Sequence, residues 1–236
     1  GSVLRAQRGD VVAIGGGVQD GDVWAECRKW IPGAASRLCV GGQFMETDGR
    51  LDRECKAVAL VRRQDVDGLI VSPADAKAVS HLGTFLARQG PVVSINRPVD
   101  HPGVGVVTPD HREAAYCGTL HLLHKGCRDI GLMTWPGTTD APDSIATQHL
   151  LGYEDAHAKL GIPVRTDLVM RIASAARAMT LDNAAARLIA RQRMDGLVCG
   201  SLAATRGAIA ALQRLSAGRS RDVAMVSLED APRLSL

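Results

Sequence analysis

Asn96 and Arg97 are the residues best placed, by type and position, to do chemistry. They follow the short apolar and β-branched run Pro91-Val-Val-Ser-Ile95. Open α/β sheets carry their ligand groups at the carboxyl ends of buried strands, so an amide and a guanidinium there suit hydrogen bonding to a small polar molecule. The competing roles are a turn-capping amide for Asn96 and a structural or interlobe contact for Arg97. Trp135 directly follows a predicted strand, and Trp24 follows the glycine-rich loop Gly15-Gly-Gly-Val-Gln-Asp-Gly21. Either indole could stack on a sugar or an aromatic ligand, or simply pack.

Covalent and metal chemistry are poorly provided for. His121 and His124 lie three apart on one predicted helix, but no third metal ligand is evident, which favours core-edge and surface roles. Asp140, Asp143 and Asp155 have no spacing that argues paired acid and base work. The six cysteines contain no Cys-x-x-Cys pair and read as free thiols, four of them at apolar positions of predicted elements. The glycines of the first loop miss the Gly-x-Gly-x-x-Gly spacing, and Pro32 is expected to interrupt the following helix early, so no dinucleotide cradle is predicted. These readings exclude an enzyme and imply no cofactor and no metal.

The elements that must position Asn96 and Arg97 alternate along the chain. Predicted strands fall at 10–14, 37–41, 67–71 and 91–95, with helices at 22–30, 48–64 and 74–89 between them. Leu51, Cys55, Val58 and Val61 would form the buried face of the second helix. A short strand at 104–107 precedes two overlapping helix starts: Thr108 as N-cap with Pro109, or Asp110 as N-cap with Glu113 three residues on. Tyr116, Leu120, Leu123 and Cys127 then recur at helical spacing up to a Gly126 cap. The alternation restarts with strands at 129–133, 167–171, 195–199 and 222–226 and helices at 144–160, 178–193 and 203–216. Strand–helix alternation implies parallel sheets with helices on both faces. Asp67-Gly-Leu-Ile-Val71 and Asp195-Gly-Leu-Val-Cys199 are near copies, one in each half. The expected fold is therefore α/β, two Rossmann-like lobes joined by a hinge: residues 1–9 a linker, 10–107 the first lobe and 108–236 the second.

The 236 residues carry 46% hydrophobic and 22% charged side chains with a net charge of +3, too little to announce a nucleic-acid surface. No apolar run approaches the roughly 18 residues of a membrane helix, and the start lacks the core of a signal peptide, so a cytoplasmic protein is expected.

Several segments in order resemble the effector-binding region of the LacI/GalR transcriptional regulators. They are Leu4-Arg-Ala-Gln-Arg8, Val66-Asp-Gly-Leu-Ile-Val71, Val93-Ser-Ile-Asn-Arg-Pro98, His121-Leu-Leu-His-Lys-Gly126 before Arg128-Asp-Ile-Gly-Leu132, Leu150-Leu-Gly-Tyr153 with Leu160-Gly-Ile162, and Asp222-Val-Ala-Met-Val226. The resemblance implies the type I periplasmic-binding-protein-like fold and a small-molecule effector between the lobes. It also implies a homodimer, and operator DNA bound by a separate helix-turn-helix headpiece rather than by these residues. By family position it makes His149, Ser201 and Glu229 ligand contacts and supports Asn96. The chain departs from the pattern at three places. His149 stands for an arginine, Ser201 and Leu202 for an asparagine and an aspartate, and Glu229 for an aspartate. An arginine and an aspartate hold adjacent hydroxyls through charge-assisted bonds, whereas a histidine and a serine supply fewer and weaker ones. A headpiece ahead of Asp10 and a further segment returning to the first lobe are both expected of the family and lie outside these residues. A solute-binding protein of the cell exterior with the same architecture is the alternative, and free cysteines in an oxidising compartment count against it.

Overall fold

The structure, a computed structural model, describes residues 11–16, 21–64, 66–88, 90–134, 144–171, 185–189, 194–216 and 223–229. The chain divides into two compact units, Gly1–Pro109 and Asp110–Leu236.

In the first unit the order is β1 (Val11–Gly16), α1 (Gly21–Arg37), β2 (Gly41–Glu46), α2 (Leu51–Val61), β3 (Gly68–Val71), α3 (Ser80–Arg88), β4 (Val92–Ile95) and β5 (Gly105–Val107). The strands form one sheet in the order β2-β1-β3-β4-β5, parallel throughout. Val58, Val61, Leu69, Leu82 and Phe85 make its core, with α2 and α3 supplying the side chains that cover the sheet.

The second unit runs α4 (His111–His124), β6 (Ile130–Thr134), α5 (Ile145–Lys159), a 3-10 turn (Thr166–Leu168), β7 (Val169–Arg171), helical residues 185–189 (α6), β8 (Gly196–Cys199), α7 (Leu202–Ser216) and β9 (Ala224–Ser227). Its sheet, β7-β6-β8-β9, is also parallel. A core lies on each face, as strands buried on both sides require. Leu122, Leu132 and Tyr153 lie in one, and Met133, Ile189 and Leu197 in the other. The expected α/β class with parallel sheets is thus what the chain forms.

The near-copied Asp-Gly pairs do the same work in each sheet. The Asp195 carboxylate accepts the Arg128 and Asp129 N–H groups at 2.8 and 2.9 Å, and its own N–H reaches the Asp129 carbonyl. Asp67 accepts the Val11 N–H at 3.2 Å and donates its own N–H to the Val11 carbonyl. Each aspartate therefore ties the amino end of the neighbouring strand, β6 or β1, to its own.

Of the two possible starts for α4, Asp110 is the cap, because its carboxylate accepts the Glu113 N–H at 2.9 Å. Gly126 (φ +98°) closes the helix end as expected.

Several expectations need correction. Pro32 does not stop α1, which runs on to Arg37. The missing N–H leaves one carbonyl of the preceding turn without its helical partner, a local loss that the longer helix outweighs. The second strand is Gly41–Glu46 rather than 37–41. Leu38-Cys39-Val40 lies in the turn leaving α1, with Leu38 75% exposed and Cys39 at φ +56°. The helices expected at 48–64 and 74–89 contract to α2 and α3. The buried face of α2 carries Glu54 with Val58 and Val61, while Cys55 is only partly covered.

Where α4 and α5 meet, Gly152 leaves no room for a side chain. A Cβ there would lie 2.0 Å from the Arg112 carbonyl oxygen and 2.9 Å from the Tyr116 nitrogen. We predict that Gly152→Ala destabilises the second unit by about 1–3 kcal/mol through overpacking. Denaturant unfolding checks this, and an unchanged midpoint would refute so close an approach of the two backbones.

Candidate functional site

The polar residues expected as ligand contacts, Asn96, Arg97, His149, Ser201 and Glu229, lie at or reach the carboxyl ends of the strands, each within its own unit. At the end of β4, Asn96 is buried with φ +66°, a left-handed conformation that asparagine tolerates better than most residues. Its N–H donates to the Val107 carbonyl at 2.9 Å, and its carbonyl accepts the Thr108 hydroxyl at 3.4 Å. Arg97 is half-buried, and its Nη1 donates to the Pro73 and Ala74 carbonyls at 3.4 and 3.3 Å. The Ser94 hydroxyl donates to the Arg97 carbonyl. One nitrogen of the guanidinium is therefore anchored to the loop after β3, within its own unit.

In the second unit, Thr134 ends β6 and His149 reaches it from α5. Its Nδ1 lies 2.9 Å from the Thr134 hydroxyl, and the imidazole is 1% exposed. The His111 ring packs edge-on against it with centroids 5.3 Å apart. A Cβ at residue 200 would stand 2.6 Å from His149 Nδ1, so the glycine after β8 makes room for the ring. Burial, with the neighbouring His111 adding to it, lowers the His149 pKa from 6.5 to about 4, and burial lowers that of His111 too. His149 is consequently a neutral imidazole at neutral pH.

Ser201 and Glu229 converge on the first turn of α7. The Ser201 Oγ accepts the Ala204 N–H at 3.2 Å, and the Glu229 carboxylate accepts the Leu202 N–H at 2.7 Å. Thr205 links the two, bonding the Ser201 carbonyl and the Ser227 hydroxyl at 2.9 Å each, while Ser227 donates to the Glu229 carbonyl at 2.8 Å. Ser201 and Glu229 thus each satisfy a helix N–H that would otherwise lack a partner.

Trp24 lies in α1, but its side chain is outside the described part of the structure, and Trp135 lies outside the described residues, as do Asp140 and Asp143. His121 and His124 sit exposed in the last turn of α4. Among the described residues, no group of three or more His, Cys, Asp or Glu side chains is placed to hold a metal ion.

Two site-forming residues escaped sequence reasoning. His111, read only as part of a helix start, forms one wall of the His149 environment, and its Nε2 is buried with no hydrogen-bond partner. Glu54, 1% exposed, binds the Ala74 N–H and His81 Nε2, each at 2.6 Å. A carboxyl one turn before Val58 on an otherwise apolar face was the signal that could have found it. A cavity of about 480 Å³ lies at the opposite, amino end of the second sheet, lined by Lys125, Cys127 and Asp195 among others. The Asp195 carboxylate there is already engaged by main-chain N–H groups, so the cavity gathers no convergent polar set.

Comparison with known proteins decides the family. Residues 19–181 match the family of periplasmic binding proteins and sugar-binding domains of the LacI family. The chain belongs to this family. Among curated proteins, "Probable HTH-type transcriptional regulator EndR" of Paenibacillus polymyxa is 28% identical over 124 residues, covering 52% of this chain and 36% of that relative. The chain thus spans about a third of the length of the curated relative it matches. A candidate ribose operon repressor of Burkholderia thailandensis superposes with a TM-score of 0.78 at 25% identity, over 95% of this chain and 81% of its own. A LacI family transcriptional regulator of Enterococcus faecium with bound ribose does so with a TM-score of 0.73 at 16% identity, over 92% of this chain and 77% of its own. The LacI-family domain therefore has its polar residues where such α/β sheets present ligand groups. Among the described residues no helix is long and apolar enough to cross a membrane.

The depressed His149 pKa makes the domain acid-sensitive. The unfolded chain binds the proton near pH 6.5 and the folded one only near 4, so His149 contributes its full stability above about 6.5 and loses it as pH falls to about 4. The span of about 2.5 units corresponds to about 3 kcal/mol. We predict that wild type loses more stability than His149→Gln between pH 7.5 and pH 4.5. Parallel denaturant curves for the two proteins would contradict the buried neutral imidazole.

Proposed function

We propose that this domain senses a small uncharged hydroxylated metabolite, a sugar or polyol, for a LacI-type transcriptional regulator. Sensing is by binding alone, without turnover. A helix-turn-helix headpiece elsewhere in the full-length protein binds operator DNA, the protein acts in the cytoplasm, and it works as a homodimer. The effector acts by binding one arrangement of the two lobes more tightly than the other. The observation that carries the reading is the placement of Asn96, Arg97, Thr134, His149, Ser201 and Glu229 at the carboxyl ends of two parallel sheets in a LacI-family chain. By position, Trp24 and Trp135 are further contacts, stacking on the ligand.

Preference for an uncharged ligand is read from the buried side chains of the second unit, since Arg97 of the first unit can donate to a hydroxyl as well as to an anion. A phosphate or carboxylate calls for charge-assisted donors. The buried side chains described at that edge offer a neutral imidazole and hydroxyls, while its guanidinium, Arg171 at the end of β7 beside Thr134, is exposed. Ribose, bound in the Enterococcus faecium regulator, is the natural first probe.

The test is a thermal-shift screen of neutral sugars, polyols, sugar acids, nucleobases and sugar phosphates. A neutral sugar or polyol at 100 times its dissociation constant should add about 2.7 kcal/mol of stability. Stabilisation by sugar phosphates or sugar acids alone would overturn the proposed ligand class, and no stabilisation by any sugar would overturn sugar sensing.

A further inference from the structure

We propose that Glu54 is a positioning residue of the effector site: from α2 it fixes the loop after β3, and that loop fixes Arg97. The inference rests on the effector-binding reading and assigns a role to a residue that stands outside the ligand-facing set.

Glu54 lies on the core side of α2 and is 1% exposed. A carboxyl group at that depth persists only where its oxygens are engaged, and both are. Oε2 accepts the Ala74 N–H at 2.6 Å, and Oε1 lies 2.6 Å from Nε2 of His81 in α3. One side chain thus joins α2, the β3–α3 loop and α3.

The same loop grips Arg97. The Pro73 and Ala74 carbonyls receive its Nη1, so Ala74 is bonded to Glu54 through its N–H and to Arg97 through its carbonyl. Asp75, one residue on, is oriented by the Lys77 and Ala78 N–H groups and feels the Arg97 charge. The Asp100 N–H donates to the Ala76 carbonyl at 3.1 Å, sewing the loop to the segment that follows Arg97. An arginine has many rotamers, and holding one in advance of binding spares the ligand the cost of ordering it. Every contact in this chain lies within the first unit.

The experiment compares wild type with Glu54→Asp, Glu54→Gln, Arg97→Ala and the Glu54→Asp/Arg97→Ala double variant. Aspartate is one methylene short of Ala74, while glutamine keeps the length, with an oxygen for the Ala74 N–H and an amide N–H for His81. The ligand-free arm is NMR. Glu54→Asp should speed hydrogen exchange at the Ala74 amide about tenfold and shift the Arg97 Nε–H resonance, with the β3 and β4 amides unchanged and Glu54→Gln close to wild type. The binding arm is calorimetric titration with D-ribose. Glu54→Asp should weaken affinity about tenfold in the wild-type background and have no effect in the Arg97→Ala background.

An unmoved Arg97 resonance, exchange accelerated across the whole unit, or affinity losses that multiply in the double variant would each overturn the proposal. A wild-type chain that binds D-ribose no better than buffer fails the choice of ligand, and the NMR arm still decides whether Glu54 positions Arg97.

Discussion

Close contact between the backbones of α4 and α5 at Gly152 is the constraint on which the geometry of the second unit depends. The carbonyl of Arg112 occupies the space a side chain would take, and this fixes how deeply α5 can sit against α4. Both neighbouring turns of α5 use that depth. Tyr153 places its hydroxyl 2.7 Å from the Ile130 carbonyl at the start of β6, and His149, one turn earlier, meets Thr134 at the end of the same strand. His111 belongs to the first turn of α4, so the helix pair also brings the two imidazoles together. A larger residue at 152 would therefore move a core anchor and a site residue at once.

A second constraint is shared by both units. Parallel strands need a fixed register, and in each sheet an aspartate at the amino end of a central strand supplies it, Asp67 beside β1 and Asp195 beside β6. Fixing the amino ends leaves the carboxyl ends to carry the loops, which are free to differ. They do differ. The first unit uses a buried carboxyl, Glu54, to hold its loop, and the second uses hydroxyls and a carboxylate arranged around the first turn of α7.

How far the sequence revealed this depends on whether a feature is local. The buried strands at 68–71, 92–95, 130–134 and 196–199 are short apolar runs bounded by turn residues, and they lie close to where such runs place them. The cap at Asp110 was legible as one of two choices, but the decision between Thr108 and Asp110 needed the bond to Glu113. The second strand was misplaced because Gly41-Gly-Gln-Phe-Met-Glu46 is an edge strand with little apolar pattern, while Leu38-Cys39-Val40 imitates a buried one. Glu54 and His149 show the harder limit. A polar side chain in a core is specified by the partners that receive it, here Ala74, His81, Thr134 and the space at Gly200, all distant in the chain.

The site residues also share an economy that bears on how a domain of this kind can respond to a ligand. Ser201 and Glu229 already satisfy the N–H groups of α7, Arg97 already bonds the β3–α3 loop, and His149 already meets Thr134. Each group is therefore held in place by its own unit, and on the proposed reading a ligand would meet donors and acceptors whose ordering cost has been met in folding. Such a site gains little from reshaping individual side chains. In the proposed sensor the free energy of binding would then be available to favour one arrangement of the two lobes over another, which is the quantity that such a sensor must change.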